Sequence, residues 1–230
     1  MEIARSRKGI SVSQRKYTLD LLEETGLLGC KPASVPMEPG IKFRTESEDE
    51  QVDKGRYQRL VGKLIYLAHT RPDIGFAVGM VSRFMNAPTT RHMKVVFQIL
   101  HYLKKNPGYG LLFKKTGERG VNIYTDADWG GFCVDGRSTS GYCTFVWGNL
   151  VTWRSKKQSV VARSSAEAEF RAMCQGICEG ICILSISSVF YSRVTEIISS
   201  NPLQIWDKQS RWQVVKALGY YFELLSKWAY

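Results

Sequence analysis

The sequence predicts an α+β protein in which a helical region precedes a sheet with a helix packed on it. Up to about residue 105, hydrophobic residues recur at helical spacing. From Tyr109 onward the spacing changes to an alternation of apolar and polar residues, which is typical of half-buried strands. The chain has 230 residues, 44% of them hydrophobic, which is enough for a substantial core. We therefore place a domain boundary near residue 108.

The first 36 residues predict a hairpin arm followed by a short helix. Ile10 and Val12 alternate with serines after the basic turn Ser6–Gly9, and Gln14–Thr25 has helical spacing and stops at Gly26. A strand pair and one helix cannot form a domain alone, so we expect them to be the end of a larger unit. Residues 37–54 carry Pro39, Gly40 and a run of acids, which is typical of a linker with a solvated face.

Residues 55–108 predict a small region of three helices. Apolar residues lie on one face of each segment, and Pro72 occupies a favourable first helical position. The third segment ends before Pro107 and Gly108, which cannot continue it easily. The predicted helices are Tyr57–His69, Pro72–Phe84 and Thr89–Lys105.

Residues 109–210 predict a sheet closed by a helix that begins at Ser164. Turn residues separate the apolar runs, at Lys115–Gly120 and Trp147–Asn149. The predicted strands are Leu111–Phe113, Val121–Thr125, Tyr142–Val146 and Leu150–Trp153.

The net charge of +11 favours an anionic partner, and nucleic acid is the leading candidate. The surplus is uneven, because residues 1–120 hold 21 Lys plus Arg against 12 Asp plus Glu, and the remainder holds 11 against 9. We expect no membrane partner, since the most apolar run, Gly176–Phe190, is interrupted and falls short of the roughly 20 residues needed to span a bilayer. With no signal peptide expected, the predicted location is intracellular, either cytoplasmic or nuclear.

Six cysteines lack the dense spacing of a small secreted protein, so we expect free thiols in a reducing compartment. Cys174, Cys178 and Cys182 are four residues apart on one helical face. A structural zinc site requires four ligands, however, and every histidine lies far upstream. We interpret these three as small core thiols.

Two aspartates follow the predicted strand Val121–Thr125. Alternation puts Asp126 and Asp128 on one face of Val121–Asp128, with Asp126 where the apolar run ends. Strand ends are where a sheet presents ligands, so Asp126 is a candidate metal ligand. The strand alone leaves an equal alternative, in which both aspartates cap a turn before Gly130 and Gly131.

Two glutamates follow at the start of the predicted helix, and helix geometry separates them. Residues two apart differ by about 200°, so Glu167 and Glu169 cannot both face the sheet. Glu167 lies three residues after Ser164 and four before Arg171, which predicts a capping box and an ion pair. Glu169 is the ligand candidate. Its predicted face also carries Ala172, Met173, Gly176 and Gly180.

A basic hairpin lies between these acids. Cations with hydroxyl and amide groups suit contacts to a phosphate backbone, which position a duplex without identifying its sequence. An ordinary solvated basic loop is an equal alternative. The candidate nucleic-acid-binding residues are Arg154, Lys156, Lys157, Arg163, Ser164 and Ser165, with Gln158 as an accompanying amide.

Other catalytic chemistries find no support in the sequence. Neither a Gly-rich phosphate loop nor a nucleophile elbow occurs, and no histidine is present after His101 to act as a base for serine. We therefore expect no small-molecule cofactor.

Three runs resemble a known family. YTDADWGG, RSTSGYC and VTWRSKKQSVVARSSAEAEFRAM resemble the ribonuclease H domain of copia-type retrotransposon polyproteins. Residues 57–113 are similar to the connection before that domain, and residues 9–37 are similar to the end of the reverse transcriptase. The resemblance covers about Glu2 to Ile183. It implies a ribonuclease H-like mixed sheet with packed helices, preceded by a helical connection.

The resemblance also implies an activity, which is cleavage of the RNA strand of an RNA:DNA hybrid by two magnesium ions held by four acids. By motif position, Asp126 and Glu169 are the first two of these catalytic and metal-binding acids, and Asp128 is expected beside the site rather than as a ligand. Manganese is a possible substitute for magnesium. The polymerase active site belongs upstream of Met1 in the family, so the implied ancestral partner is the reverse transcriptase domain.

After Ile183 the chain departs from the family. Pro202–Ser210 resembles a damaged form of the next strand and would make Asp207 the third acid, but Lys208 replaces an asparagine. No histidine-containing segment follows, and residues 211–230 have no counterpart. Two metal ions need several carboxylates to offset their charge. We therefore predict impaired cleavage, with two alternatives: a non-catalytic nucleic-acid-binding module, or a decayed product without a selected role.

Overall fold

The computed structural model describes residues 1–41, 43, 49–117, 120–131 and 135–197, with side chains up to Ile186. The strands are β1 (Glu2–Ser6), β2 (Gly9–Ser13), β3 (Gly110–Lys114), β4 (Val121–Asp128), β5 (Thr139–Val146) and β6 (Asn149–Lys157). The helices are α1 (Arg15–Glu24), α2 (Lys54–Leu67), α3 (Gly75–Ser82), α4 (Thr90–Lys105) and α5 (Ser165–Ile197), and a 3-10 turn at Pro72–Ile74 leads into α3.

The predicted N-terminal hairpin is present, and β3 extends it into an antiparallel sheet of order β1-β2-β3. Ile10 and Val12 pair with Phe113 and Leu111, and the four side chains form a small apolar cluster. The prediction that Leu111–Phe113 joins the strands of the second half was wrong. Closeness in sequence favoured grouping Leu111–Phe113 with the later strands. In the structure β3 instead pairs with β2, about a hundred residues earlier, because this pairing buries the apolar face of the hairpin.

The main core lies among α1, α2, α3 and α4, as their apolar spacing predicts. Leu22, Leu64, Ile74 and Leu100 are fully buried within it. Because α1 belongs to this core, the short N-terminal helix packs on the three helices that follow it in sequence.

The buried side chain of Arg71 links several segments at one end of this core. The Arg71 guanidinium donates hydrogen bonds to both Asp73 carboxylate oxygens, at 2.7 to 3.2 Å, and to the Asn106 carbonyl oxygen, at 3.0 Å. It also lies over the rings of Tyr102 and Tyr109. This one cation therefore joins the end of α2 to the turn into α3 and to the end of α4.

The second sheet has order β4-β5-β6, all antiparallel, and α5 packs on one of its faces. The α5 backbone approaches closely because Gly176 and Gly180 face β4. A Cβ at Gly176 would overlap the Thr125 methyl group and lie 3.1 Å from Ile123 Cγ2. The predicted α+β fold class, helices followed by a sheet with a packed helix, is confirmed.

The two sheets meet at Asn149. Its side-chain oxygen accepts from the Lys114 backbone N–H at 2.7 Å, and its nitrogen donates to the Lys114 carbonyl at 3.0 Å. Leu150 and Trp153 of β6 pack on the apolar cluster of the first sheet. The proposed division of the chain into domains stays a prediction.

Several predictions lie outside the described residues, namely the strand at Pro202–Ser210 with Asp207 and Lys208, part of the 37–54 linker, Cys133, and the segment 211–230. Among the residues that are described, no helix has the length and apolar character needed to cross a membrane.

Candidate functional site

The two aspartates of β4 lie on the sheet face opposite α5. Side chains of β4 alternate between half-buried and exposed along its whole length, and Ile123 and Thr125 are on the face that contacts α5. Asp126 and Asp128 are therefore exposed on the other face. Directly across from Asp126 on β5 is Gly141, which has no side chain, so the surface beside the Asp126 carboxylate is open.

Asp128 lies against the turn that follows β4. A Cβ at Gly131 would be 2.5 Å from Asp128 Oδ1, so the turn places its backbone directly beside this carboxylate. Gly130 adopts a positive φ of 63°, and its N–H donates to Ser138 Oγ at 3.3 Å. The proximity of Asp128 to the turn is consistent with the turn-capping alternative for this residue.

Glu167 is engaged in helix capping, as predicted. Its N–H donates to Ser164 Oγ at 3.1 Å, and its carboxylate accepts from the Arg163 N–H at 2.8 Å. Arg171 donates to the same carboxylate, at 2.7 and 3.1 Å. The Arg163 N–H and then Arg171 hold the pKa of Glu167 below its usual value, because both stabilise the charged form.

Glu169 is half-buried at the border of the α5 face that contacts the sheet. Ala168 and Ala172 are fully buried, as are Gly176 and Gly180 further along the helix. Met173, predicted on the same face, is instead exposed. The side of α5 that packs on β4 consists of alanine and glycine, because only small residues let the helix approach the strand closely. The longer Met173 side chain lies outside that contact.

The described residues do not form a complete metal site. Carboxylate oxygens are suitable magnesium ligands, but within the described part of the chain no three His, Cys, Asp or Glu residues lie close enough to hold a metal ion. These described residues therefore do not fit a pair of metal ions. The assignment of Asp126, Glu169 and Asp207 as catalytic metal ligands stays a prediction.

The cations of β6 divide between the two faces of the sheet. In register, Arg154 lies opposite Tyr142 and Lys156 opposite Ser140. Directly paired residues share a face, and Tyr142 faces α5, since its hydroxyl donates to Glu179 Oε2 at 3.1 Å. Arg154 and Lys156 are thus exposed on the α5 face, which is the face where Glu169 lies.

Lys157 is on the same face as Asp126 and Asp128, where it forms an ion pair with Asp135. Arg137 approaches the same carboxylate at 3.6 Å. Burial raises the pKa of Asp135, but hydrogen bonds from Lys157 and the Arg137 N–H, with the charges of both residues, together outweigh it and lower the pKa overall. One of the predicted phosphate-binding cations therefore already has a carboxylate partner.

Gln158 is structural, which corrects its interpretation as an amide available to phosphate. The side chain is almost fully buried, and its nitrogen donates to Ser140 Oγ at 2.9 Å and to the Ala168 carbonyl at 3.0 Å. These bonds tie the end of β6 to the first turns of α5. The remaining predicted binding residues, Arg163, Ser164 and Ser165, are exposed around the beginning of α5, with Ser164 acting as its cap.

The three helical cysteines are exposed, so their interpretation as core thiols was wrong. Spacing of four residues places them on one face, but α5 packs on the sheet through the glycine and alanine positions instead. Close backbone approach determines the buried face, and a cysteine side chain is too large for it.

The pair Tyr142–Glu179 was not predicted from the sequence. Burial, and then the nearby Glu179 charge, raise the pKa of Tyr142 to about 12, so this hydroxyl remains a hydrogen-bond donor at neutral pH. The pair joins the middle of β5 to α5 beside Arg154. Its only sequence signal is a tyrosine and a glutamate 37 residues apart, which pattern analysis cannot connect.

Comparisons with known proteins identify relatives of the chain. It is 40% identical over 195 residues to the Retrovirus-related Pol polyprotein from transposon RE1 of Arabidopsis thaliana, covering 85% of this chain and 13% of that protein. It is 36% identical to the corresponding polyprotein from transposon TNT 1-94 of Nicotiana tabacum, covering 75% of this chain and 14% of that one. It is also 35% identical to an uncharacterised mitochondrial protein of Arabidopsis thaliana, covering 87% of this chain and 82% of the relative.

No family model and no solved structure matches the chain. The first polyprotein relatives are much longer, and the chain spans only 12 to 13% of their length. Identity of 36 to 40% over three quarters or more of the chain nevertheless makes the relationship clear. The chain therefore belongs to the family of retrotransposon Pol polyproteins and their shorter relatives, and corresponds to a segment of the polyprotein.

Proposed function

We propose that this chain is a nucleic-acid-binding segment of a copia-type Pol polyprotein, and that its residues 109–210 derive from the ribonuclease H domain and cleave the RNA strand of RNA:DNA hybrids weakly or not at all. The observation that supports binding most directly is the pair of exposed cations on β6. Arg154 and Lys156 share a face beside the beginning of α5, where Arg163 is also exposed. In the parent polyprotein this segment would act beside the reverse transcriptase domain.

The position of the cations suits a duplex backbone. Arg154 and Lys156 are two residues apart on a strand, about 7 Å along its axis, which is close to the spacing of successive phosphates. Gln158 ties the end of β6 to the first turns of α5, and exposed Arg163 lies just before that helix. Contacts of this kind position a duplex and carry no sequence information. We therefore expect binding that depends on salt more than on sequence.

Weak or absent cleavage follows from the number of acids. The described residues offer Asp126 near the end of β4 and Glu169 on α5. Asp126 is on the sheet face that points away from α5, so the two carboxylates lie on opposite sides of the sheet. A third acid, Asp207, lies outside the described residues and is followed by Lys208, whose charge would disfavour a nearby cation. Two or three acids would hold a single magnesium or manganese ion only weakly, because too few carboxylates offset its charge.

The binding proposal is tested with a labelled RNA:DNA hybrid whose anisotropy is measured over a series of salt concentrations. The double variant Lys156→Gln with Arg163→Gln should weaken binding and lower the slope of log affinity against log salt by about 1 for each phosphate that the protein no longer neutralises. The matched control is Lys31→Gln with Lys94→Gln, which removes the same charge from exposed sites remote from α5. Equal weakening of binding in the two double variants would contradict an interface at β6.

Catalysis is tested on the same hybrid with magnesium or manganese, comparing the natural chain with Asp126→Asn and with Asp20→Asn, an exposed aspartate on α1. We expect slow or undetectable cleavage, and any cleavage that belongs to the protein should disappear in Asp126→Asn alone. Fast turnover that Asp126→Asn abolishes would refute impaired activity and identify a working ribonuclease H.

A further inference from the structure

A second group of cations lies on the sheet face that points away from α5. Lys157 and Arg137 both approach the Asp135 carboxylate, Arg137 with its Nε at 3.6 Å and its backbone N–H at 3.4 Å. Arg83, at the end of α3, interacts with the same carboxylate through its charge. We call these four residues the Asp135 cluster.

Arg83 is a half-buried member of the Asp135 cluster. Its Nη2 donates to Thr139 Oγ1 at 3.3 Å, which holds the guanidinium against β5. Burial lowers the pKa of Arg83, and the negative charge of Asp135 opposes this shift, so the two side chains lie close enough to interact. A guanidinium that is partly withdrawn from water gains more from a nearby anion than an exposed one does. The helical region therefore contributes a cation to the surface of the second sheet.

The Asp135 cluster holds more positive than negative charge. Its three cations share the single carboxylate of Asp135, so a surplus of two positive charges remains. A carboxylate and a phosphodiester each present two oxygens that share one negative charge, and arginine binds both kinds of group through its planar fork of donors. The Asp135 carboxylate therefore occupies a position that suits a phosphate group.

The strand register puts the cluster on the face that carries the acids of β4. Thr139 on β5 pairs with Asp128 on one side and with Lys157 on the other, so the three side chains share a face. Neighbouring strands are about 4.8 Å apart, which places the Lys157 Cα about 10 Å from the Asp128 Cα across the sheet. Gly141, the next β5 residue on this face, leaves the surface towards Asp126 open. A strand of nucleic acid held at the cluster would therefore pass along the face of Asp126.

We propose that the Asp135 cluster is a phosphate-binding site for a nucleic-acid strand, in which a phosphodiester takes the place of the Asp135 carboxylate among the three cations. Asp135 keeps the cations paired while no strand is bound, and it competes with the phosphate for them. The cluster lies on the opposite side of the sheet from the cations beside the beginning of α5. Because its ligand is nucleic acid, this site rests on the proposed function and adds a second contact surface to it.

The test compares the natural chain, Asp135→Asn and Asp20→Asn in their affinity for a labelled RNA:DNA hybrid, measured by anisotropy at one salt concentration. Both variants remove one negative charge, but only Asp135→Asn removes the competitor, since Asp20 is exposed on α1. We expect Asp135→Asn to bind about two- to fivefold more tightly than Asp20→Asn, which is the range that an exposed ion pair contributes. Equal affinities of the two variants would overturn the site, and absence of binding by all three proteins would overturn the proposed function with it.

Arginine variants in the Asp135→Asn background locate the gain in affinity. Arg137→Gln should remove this gain, and its exposed side chain can be changed without disturbing the core. The matched control is Arg59→Gln, which removes the same charge from an exposed site on α2 and should retain the gain. Equal loss of affinity in the two arginine variants would show a general effect of charge and contradict the site.

Amine acetylation with and without the hybrid separates this site from the one beside the beginning of α5. The rate is followed in Asp135→Asn and resolved for Lys156 and Lys157 by fragmentation of the peptide that contains both. We expect Lys157 to lose reactivity when the hybrid binds. Protection of Lys156 alone would overturn the Asp135 cluster and leave the proposed function standing. Protection of Lys157 alone would support the cluster and contradict the interface at Lys156.

Discussion

Glu167 and Glu169 lie two residues apart on α5, and their surroundings differ because helical geometry turns them to different sides. The Glu167 N–H donates to Ser164 Oγ, and its carboxylate accepts from the Arg163 N–H and pairs with Arg171. Glu169 lies at the border of the sheet-facing side, next to two buried alanines. One carboxylate therefore stabilises the start of the helix, and the other remains available as a candidate ligand.

Arg71 and Asp73 form a partly buried ion pair whose contribution to stability depends on pH. Burial raises the pKa of Asp73, but the hydrogen bond and charge of Arg71, with the Tyr102 hydroxyl, lower it overall. The folded pKa therefore lies below the unfolded value of about 3.9. The stabilisation is complete above the unfolded pKa and is lost as the pH falls through the folded pKa.

We predict that Asp73→Asn lowers the free energy of unfolding at pH 7 and flattens its pH dependence below about pH 4. Urea denaturation between pH 2.5 and pH 7 measures this. The control Asp20→Asn changes an exposed carboxylate and should retain the natural pH profile. If the free energy of unfolding of Asp73→Asn still fell with decreasing pH as it does in the natural chain, the Arg71–Asp73 ion pair would not control stability in acid.

Among the elements, β2 and β3 are held together across a long stretch of chain by a close backbone approach. A Cβ at Gly110 would meet the Val12 carbonyl oxygen and lie 2.9 Å from Ser13 Cα. These are backbone atoms, so no side-chain rotation relieves the contact. Pairing of β3 with the N-terminal hairpin therefore requires glycine at this position.

We predict that Gly110→Ala destabilises the protein by about 1 to 3 kcal/mol, because the strands must separate to admit the methyl group. Chemical denaturation provides the measurement. Gly62→Ala is the matched control, since a Cβ there on α2 has open space around it and should stabilise the helix by about 0.5 to 1 kcal/mol. Equal effects of the two substitutions would contradict the close pairing of β2 and β3.

At the scale of the whole molecule, Asn149 connects the hairpin sheet to the sheet that carries Asp126. It is buried, and its side chain satisfies both the N–H and the C=O of Lys114. Trp153 of the second sheet also contacts the helical region, since Gly75 of α3 packs against its indole ring. The helical region and the second sheet should therefore unfold together.

We predict coincident thermal transitions by circular dichroism and by tryptophan fluorescence. All six tryptophans follow residue 128, so fluorescence reports on that part of the chain, whereas circular dichroism also reports on the four described helices that precede residue 106. Asn149→Ala leaves two backbone groups without partners, at a cost of about 1 to 3 kcal/mol each, and should lower and separate the transitions. A natural chain without a cooperative transition would instead support the decayed-product alternative.

The sequence by itself determined the α+β class, the helices and strands, the alternation along β4 and the cap at Glu167. These depend on local spacing, since helical and strand periods and capping residues act within a few positions. Local spacing also predicted that Asp126 lies near the end of β4 and that Glu167 and Glu169 lie on different sides of α5. The catalytic roles that the family resemblance implies for Asp126, Glu169 and Asp207 stay predictions.

Only the tertiary structure decided which distant segments meet. It paired β3 with the hairpin, buried Gln158, and turned Cys174, Cys178 and Cys182 outward. It also divided Lys156 and Lys157 between the two faces of the sheet. The physical reason is that burial of apolar surface and close backbone approach are settled between elements far apart in sequence. Glycine and alanine therefore occupy the α5 contact with β4, and the larger residues of α5 lie on its exposed side.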